Sequence, residues 1–142
     1  MKQLYFILFA SLTILACQKS SVDKKDEGIL RYKESVAIND IPRATLTFFD
    51  VTDSRCPEGL QCFVAGNARV DLTLDGVTTE GRITKHVKMC LGDCSSFLAD
   101  TVNEEFAGSK YQFILKSVSP LPKKDVQAVK TEYNISLDIK KK

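Results

Sequence analysis

The chain contains no tryptophan, one histidine (His86), and only two methionines, Met1 and Met89. A Ser-His-Asp arrangement would have to be assembled around His86, and no nucleophile-elbow pattern accompanies it. An excess of one charge is lacking too: 20 basic residues stand against 18 acidic ones, a formal +2. That balance gives no footprint for a nucleic-acid partner. The closing "DIKKK" reads as a solvated end. Helical periodicity is absent apart from a short turn around "DVQAV" or "SSFLAD", and no internal repeat is visible. Asp50, Asp53, Asp71 and Glu58 lie near turns, where carboxylates are ordinarily solvated rather than gathered for calcium or acid–base work. The expectation is a non-enzyme without a cofactor.

What is present is a period of two. "GILRYKESVAI" alternates loosely, and "ATLTFFDV" puts Ala44, Leu46 and Phe48 on one face. "NARVDLTL" sends Ala68, Val70, Leu72 and Leu74 inward. Asp75-Gly76 follows and reads as a hairpin turn, because both residues tolerate positive φ. "RITKHVKM" then returns antiparallel with Ile83, Val87 and Met89 among its apolar residues, leaving His86 to solvent. "KYQFILKSV" and "EYNISLDI" complete the set, and the proline-containing "SPLPKKDVQAV" between them is a connection. The fold class expected is all-β: a small antiparallel β-sandwich or barrel of about seven strands, disulfide-braced.

The ends of the chain speak to location. "MKQLYFILFASLTILAC" has a basic Lys2, an apolar stretch too short to span a bilayer, and a small residue before Cys17. It resembles the lipobox of bacterial lipoproteins, with Leu15 where a small residue is usual. The resemblance implies a signal peptide over 1–16, acyl chains on Cys17, and a membrane partner through that anchor. The polar run after Cys17 reads as a tether over 17–27, leaving one β domain at 28–142. By resemblance to lipoprotein sorting, Gln18 favours the outer membrane, facing the periplasm or the exterior. Lys2 is the only charge in the leader, so the remaining chain carries 19 basic against 18 acidic residues.

Cys56, Cys62, Cys90 and Cys94 remain, an even number in a chain read as exported, which argues for disulfides. The local pairs Cys56–Cys62 and Cys90–Cys94 each flank a glycine-containing turn. Cross pairing of Cys56 with Cys90 and Cys62 with Cys94 is the rival. C-x5-C and C-x3-C do not match the close zinc spacing. A copper- or other metal-handling reading would use His86, Met89, Cys90 and Cys94. The C-x3-C pair with a distant histidine resembles copper chaperones of thioredoxin fold, which open a helix with that motif. Here the motif closes a strand.

The stretch "DSRCPEGLQCFVAGNARV" is similar to a pattern in small exported bacterial lipoproteins: Asp-Ser-Arg-Cys-Pro, a second cysteine, Ala-Gly, then a strand. Phe63-Val64 stands where many members carry a tryptophan. The resemblance implies fold and compartment rather than chemistry. On physical grounds Asp53 or Ser54 opens the turn, Arg55 is expected to pair with a carboxylate beneath it, and Gly59 and Gly66 allow tight backbone paths. A rigid loop on a small β-scaffold suits protein binding, since ordering it beforehand lowers the entropic cost of association. The chain is also generally similar to potempin-like lipoprotein peptidase inhibitors in size, anchoring and strand content. In that case Arg55, Pro57, Glu58, Gly59 and Leu60 would meet a secreted peptidase, with residues 91–96 as a second contact. An accessory lipoprotein of an envelope complex is the other binding role considered.

Overall fold

Alternating apolar residues create strands with one face that must be buried, and two such sheets bury each other. In the computed structural model, residues 27–126 and 128–142 are described. The leader, Cys17 and the tether up to residue 26 lie outside them. The strands are β1 (Glu27–Arg31), β2 (Ser35–Asn39), β3 (Ala44–Asp53), β4 (Asn67–Thr78), β5 (Gly81–Gly92), β6 (Thr101–Phe106), β7 (Ser109–Ser119) and β8 (Asn134–Lys141). They form two antiparallel sheets of four, ordered β1-β8-β7-β6 and β2-β3-β4-β5. Among the described residues no helix is long and apolar enough to cross a membrane.

Leu46, Phe48, Val70, Leu72, Leu74 and Met89 from one sheet pack against Tyr111, Phe113, Leu115, Ile135 and Leu137 from the other, all buried. Each such side chain contributes about 1.5–3 kcal/mol on burial. Ala44, Leu46, Phe48 and the Ala68–Leu74 series point inward as their alternation requires.

Two expectations need correction. "GILRYKESVAI" is two strands in different sheets, because Tyr32-Lys33-Glu34 turns the chain from one sheet to the other. Lys33 takes φ 65°, and its N–H donates to the Phe48 carbonyl (2.8 Å). Asp75-Gly76 is not a turn: both residues continue β4, and the chain reverses at Thr79-Glu80, where Thr78 faces Gly81. Gly76 is needed for space, since a Cβ there would lie 2.7 Å from Cε1 of the buried Phe106. "TVNEEF" is a strand as well, which brings the strands among the described residues to eight, in line with the all-β class of about seven strands. A short turn does form at "SSFLAD", where the Leu98 N–H donates to the Ser95 carbonyl (3.0 Å), and the one 3₁₀ turn among the described residues is at Lys130–Glu132.

Strand direction gives the sandwich two unlike poles. At one lie the start of β1, the β2–β3 turn, Thr79-Glu80, Ala107-Gly108 and the C-terminus. All the long connections gather at the other: 54–66, 93–100 and 120–133.

Candidate functional site

The long loops are tied to the sheets and to one another. In the first, the Ser54 N–H donates to the Asn67 carbonyl and the Cys56 N–H to the Ala65 carbonyl, both at 2.8 Å. These bonds prolong the β3–β4 ladder into the loop. Cys56–Cys62 closes it (Cα–Cα 5.9 Å) and Cys90–Cys94 closes the second loop (Cα–Cα 6.1 Å), so the pairing is local. Gly66 sits where these two loops meet. Its φ is +72°, a Cβ would lie 2.0 Å from the Ser54 carbonyl oxygen, and its own carbonyl accepts the Asp93 N–H (2.9 Å). No side chain fits there. The Asn67 amide also donates to the Asp93 carbonyl (2.7 Å).

Arg55 fastens the first loop to the third. Its Nε and Nη2 donate to the two Asp53 carboxylate oxygens (2.9 and 2.6 Å), while Nη1 reaches the Val118 carbonyl (2.8 Å) and Nη2 the Pro120 carbonyl (2.9 Å). The Tyr133 hydroxyl adds a 3.1 Å bond to Asp53. The side chains of Arg55 and Asp53 are 12% and 4% exposed. Burial opposes ionisation of Asp53, but the hydrogen bonds and charge of Arg55 outweigh it and hold the carboxyl below its ordinary value. Tyr133 is pushed the other way, by burial and then by the Asp53 charge. Backbone joins the same loops, with the Glu58 N–H donating to the Pro122 carbonyl (2.9 Å).

Between the first and third loops runs a cleft of about 640 Å³, lined by Asp53, Arg55 and Pro57 on one side and by Pro122, Val126 and Tyr133 on the other. The loop tips around it are apolar and turned to solvent. Phe63 is fully exposed, Phe97 is 93% exposed, and Leu60, Val64, Leu121, Val126 and Val129 are exposed as well. Rigid backbone carrying unpacked apolar tips can hold a macromolecule by surface contact.

The sequence-predicted loop residues therefore divide. Pro57 lines the cleft, Glu58, Gly59 and Leu60 are exposed beside it, and Arg55 is turned into the protein as the pairing expectation required. Four of its five N–H donors go to internal partners, so it holds the loops together while also lining the cleft. Phe63, Val64, Phe97 and the apolar residues of "SPLPKKDVQAV" join the exposed surface without having been expected as contacts. The signal was there: large apolar residues in segments that fit no strand.

The carboxylates are spread out, and Asp50, Asp53 and Asp71 each have a partner of their own. Lys130 Nζ donates to Asp50 at 2.6 Å, and this bond holds the Asp50 carboxyl below its usual range. Asp50 faces Asp71 across β3 and β4, a like-charge pair that would be unfavourable alone. His86 Nδ1 lies 2.9 Å from Asp71 on the solvent side, and its ring meets Phe49 edge-on. The metal reading needs free thiols beside His86. Both sulfurs are instead bonded to each other, and among the described residues no group of three or more His, Cys, Asp or Glu could hold a metal ion. No family model matches the chain, and neither a curated protein nor a solved structure does.

Proposed function

We propose that this is a lipid-anchored cell-envelope protein that binds a protein partner through its disulfide-braced pole, and that the partner is a secreted peptidase held by inhibition. One observation carries the reading: three loops, two of them closed by their own disulfides and all tied together by the Asp93 bonds and the Arg55 network, present exposed apolar tips, with a cleft between the first and the third. Backbone already fixed in place loses little freedom on binding. Direction supports it as well. The chain enters the sandwich at Glu27, on the pole opposite those loops, so an anchor at Cys17 would leave the tips facing away from the bilayer.

The test is a panel of secreted peptidases titrated with the oxidised protein, alongside palmitate labelling of the full-length chain and its Cys17→Ala variant. Stoichiometric inhibition is expected. Phe63→Ser should weaken it about 30-fold, the equivalent of a 2 kcal/mol contact at an interface centre. A folded protein that inhibits no peptidase refutes the inhibitory part and leaves the accessory-lipoprotein role. Label that persists in Cys17→Ala refutes the anchor.

A further inference from the structure

The opposite pole has a chemistry of its own. Arg43, beside the β2–β3 turn, and Arg82, near the start of β5, flank a shallow groove of about 340 Å³ with Thr45, Asp75, Gly76 and Val77. Neither guanidinium has a hydrogen-bond or ion-pair partner among the described residues. The nearby Asp75 carboxylate accepts the Thr84 hydroxyl instead (2.6 Å). Lys110 and Lys140 are likewise exposed and free of ion pairs. The end of β8 joins these residues into one surface. Lys141 Nζ donates to the Asn39 side chain in the other sheet (2.8 Å), and the Lys142 N–H donates to the Lys110 carbonyl (2.9 Å). The acids of this pole are Glu27, Asp40, Glu80 and Glu105, with Asp75 in the groove itself, against Arg43, Arg82, Lys110, Lys140, Lys141 and Lys142. At the tip of the β2–β3 turn Ile41 is 91% exposed, and Val77 is exposed beside the groove.

We propose that this pole docks on the membrane surface, with Arg43 and Arg82 taking the phosphates of anionic lipid headgroups and Ile41 entering the apolar layer beneath them. Guanidinium groups bind phosphate through paired N–H donors. A bulky aliphatic side chain beside them is the arrangement that settles at the headgroup boundary. The position of the chain adds a second argument, resting on the lipid-anchor reading above. Nine residues separate Cys17 from Glu27, and even fully extended they reach roughly 30 Å. An anchored domain is thus held with this pole within reach of the bilayer, where weak headgroup contacts become effectively intramolecular.

The chain beginning at Gln18 retains every strand of the fold and tests headgroup attraction without the anchor. It is sedimented with vesicles of phosphatidylcholine alone or mixed with phosphatidylglycerol. Binding is expected to the anionic vesicles only, falling as ionic strength rises. The double variant Arg43→Ala/Arg82→Ala should lower partitioning about 25-fold, at roughly fivefold per basic residue near a charged surface. Phe63→Ser/Phe97→Ser, at the far pole, should leave it unchanged. No attraction to anionic vesicles overturns the proposal, as does binding that ignores the arginine pair or follows Phe63 and Phe97. Labelling of Cys17 reports the anchor separately: a labelled protein whose free domain ignores phosphatidylglycerol fails this inference alone, and an unlabelled one that binds it fails the anchor alone.

Discussion

Replacing Arg55 with methionine removes one guanidinium and undoes several connections at once. Asp53 keeps the Tyr133 hydroxyl and the residue-55 N–H (3.1 Å each) but loses its one salt-bridge partner among the described residues, while its side chain remains almost wholly buried. The Val118 and Pro120 carbonyls lose their guanidinium donors. Breaking a buried pair on one side costs about 3–5 kcal/mol, a large part of the 5–15 kcal/mol typical of a whole domain. Urea unfolding of the oxidised protein at neutral pH should show that loss as a lower midpoint with an unchanged slope. Adding Asp53→Asn should recover part of it, because the buried charge is then gone. The pH dependence carries the sign. In the wild type the Asp53 carboxyl is held below its ordinary value, so its stabilisation is present above the unfolded carboxyl pKa, about 3.9, and is lost as pH falls through the folded value. In Arg55→Met the guanidinium's hydrogen bonds and charge are gone, and burial is opposed only by the Tyr133 hydroxyl and the backbone N–H, so that pKa rises relative to the wild type. The stability gap should therefore narrow as the solution is acidified through about pH 4. A loss below 1 kcal/mol, or a gap that does not change with pH, would refute the claim that Arg55 is an internal strut.

Other expectations are simpler. Peptide mapping should recover Cys56–Cys62 and Cys90–Cys94, and removing either bridge should cost no more than about 2 kcal/mol, because both loops are short. Thr73→Val should stabilise the domain by about 1 kcal/mol, measured by urea unfolding, since the Thr73 hydroxyl is buried with no hydrogen-bond partner among the described residues. Gly76→Ala should destabilise by about 1–3 kcal/mol as its methyl meets Phe106. Adding Phe106→Leu should restore part of that loss, which thermal melts of the single and double variants will report.

Inward-facing residues were legible wherever one face of a strand is buried and the other is wet, as in β3, β4 and β7. The pattern gave little warning at β6, where Asn103, Glu104 and Glu105 sit together on an edge strand that pairs only with β7. It also hid the change of sheet at Tyr32–Glu34, because Lys33 adopts positive φ without a glycine or asparagine to announce it. Asp75-Gly76 misled for the opposite reason: its glycine answers to a ring from the other sheet, which only tertiary packing reveals. At the loop pole local spacing favoured the local cysteine pairs without settling them against the cross pairing, and it pointed to a carboxylate partner for Arg55 without naming Asp53. The partners of Arg55 and Glu58 in the third loop could not, since residues 118–122 lie more than sixty positions away.

The pairing of β1 with β8 also sets the order in which the fold can be assembled. Strands β2 to β5 each pair with the next in sequence and can zip from local turns. Among the described residues β1 pairs with β8 alone, and Glu27 faces Asp138 across nearly the whole domain. Closing so long a loop is entropically costly until the rest of the chain already holds the ends close. A growing chain must therefore carry its first strand unpaired until its last one is made. Loss of the final strand would leave β1 and β7 as bare edges, so the C-terminus acts as the clasp of the whole structure.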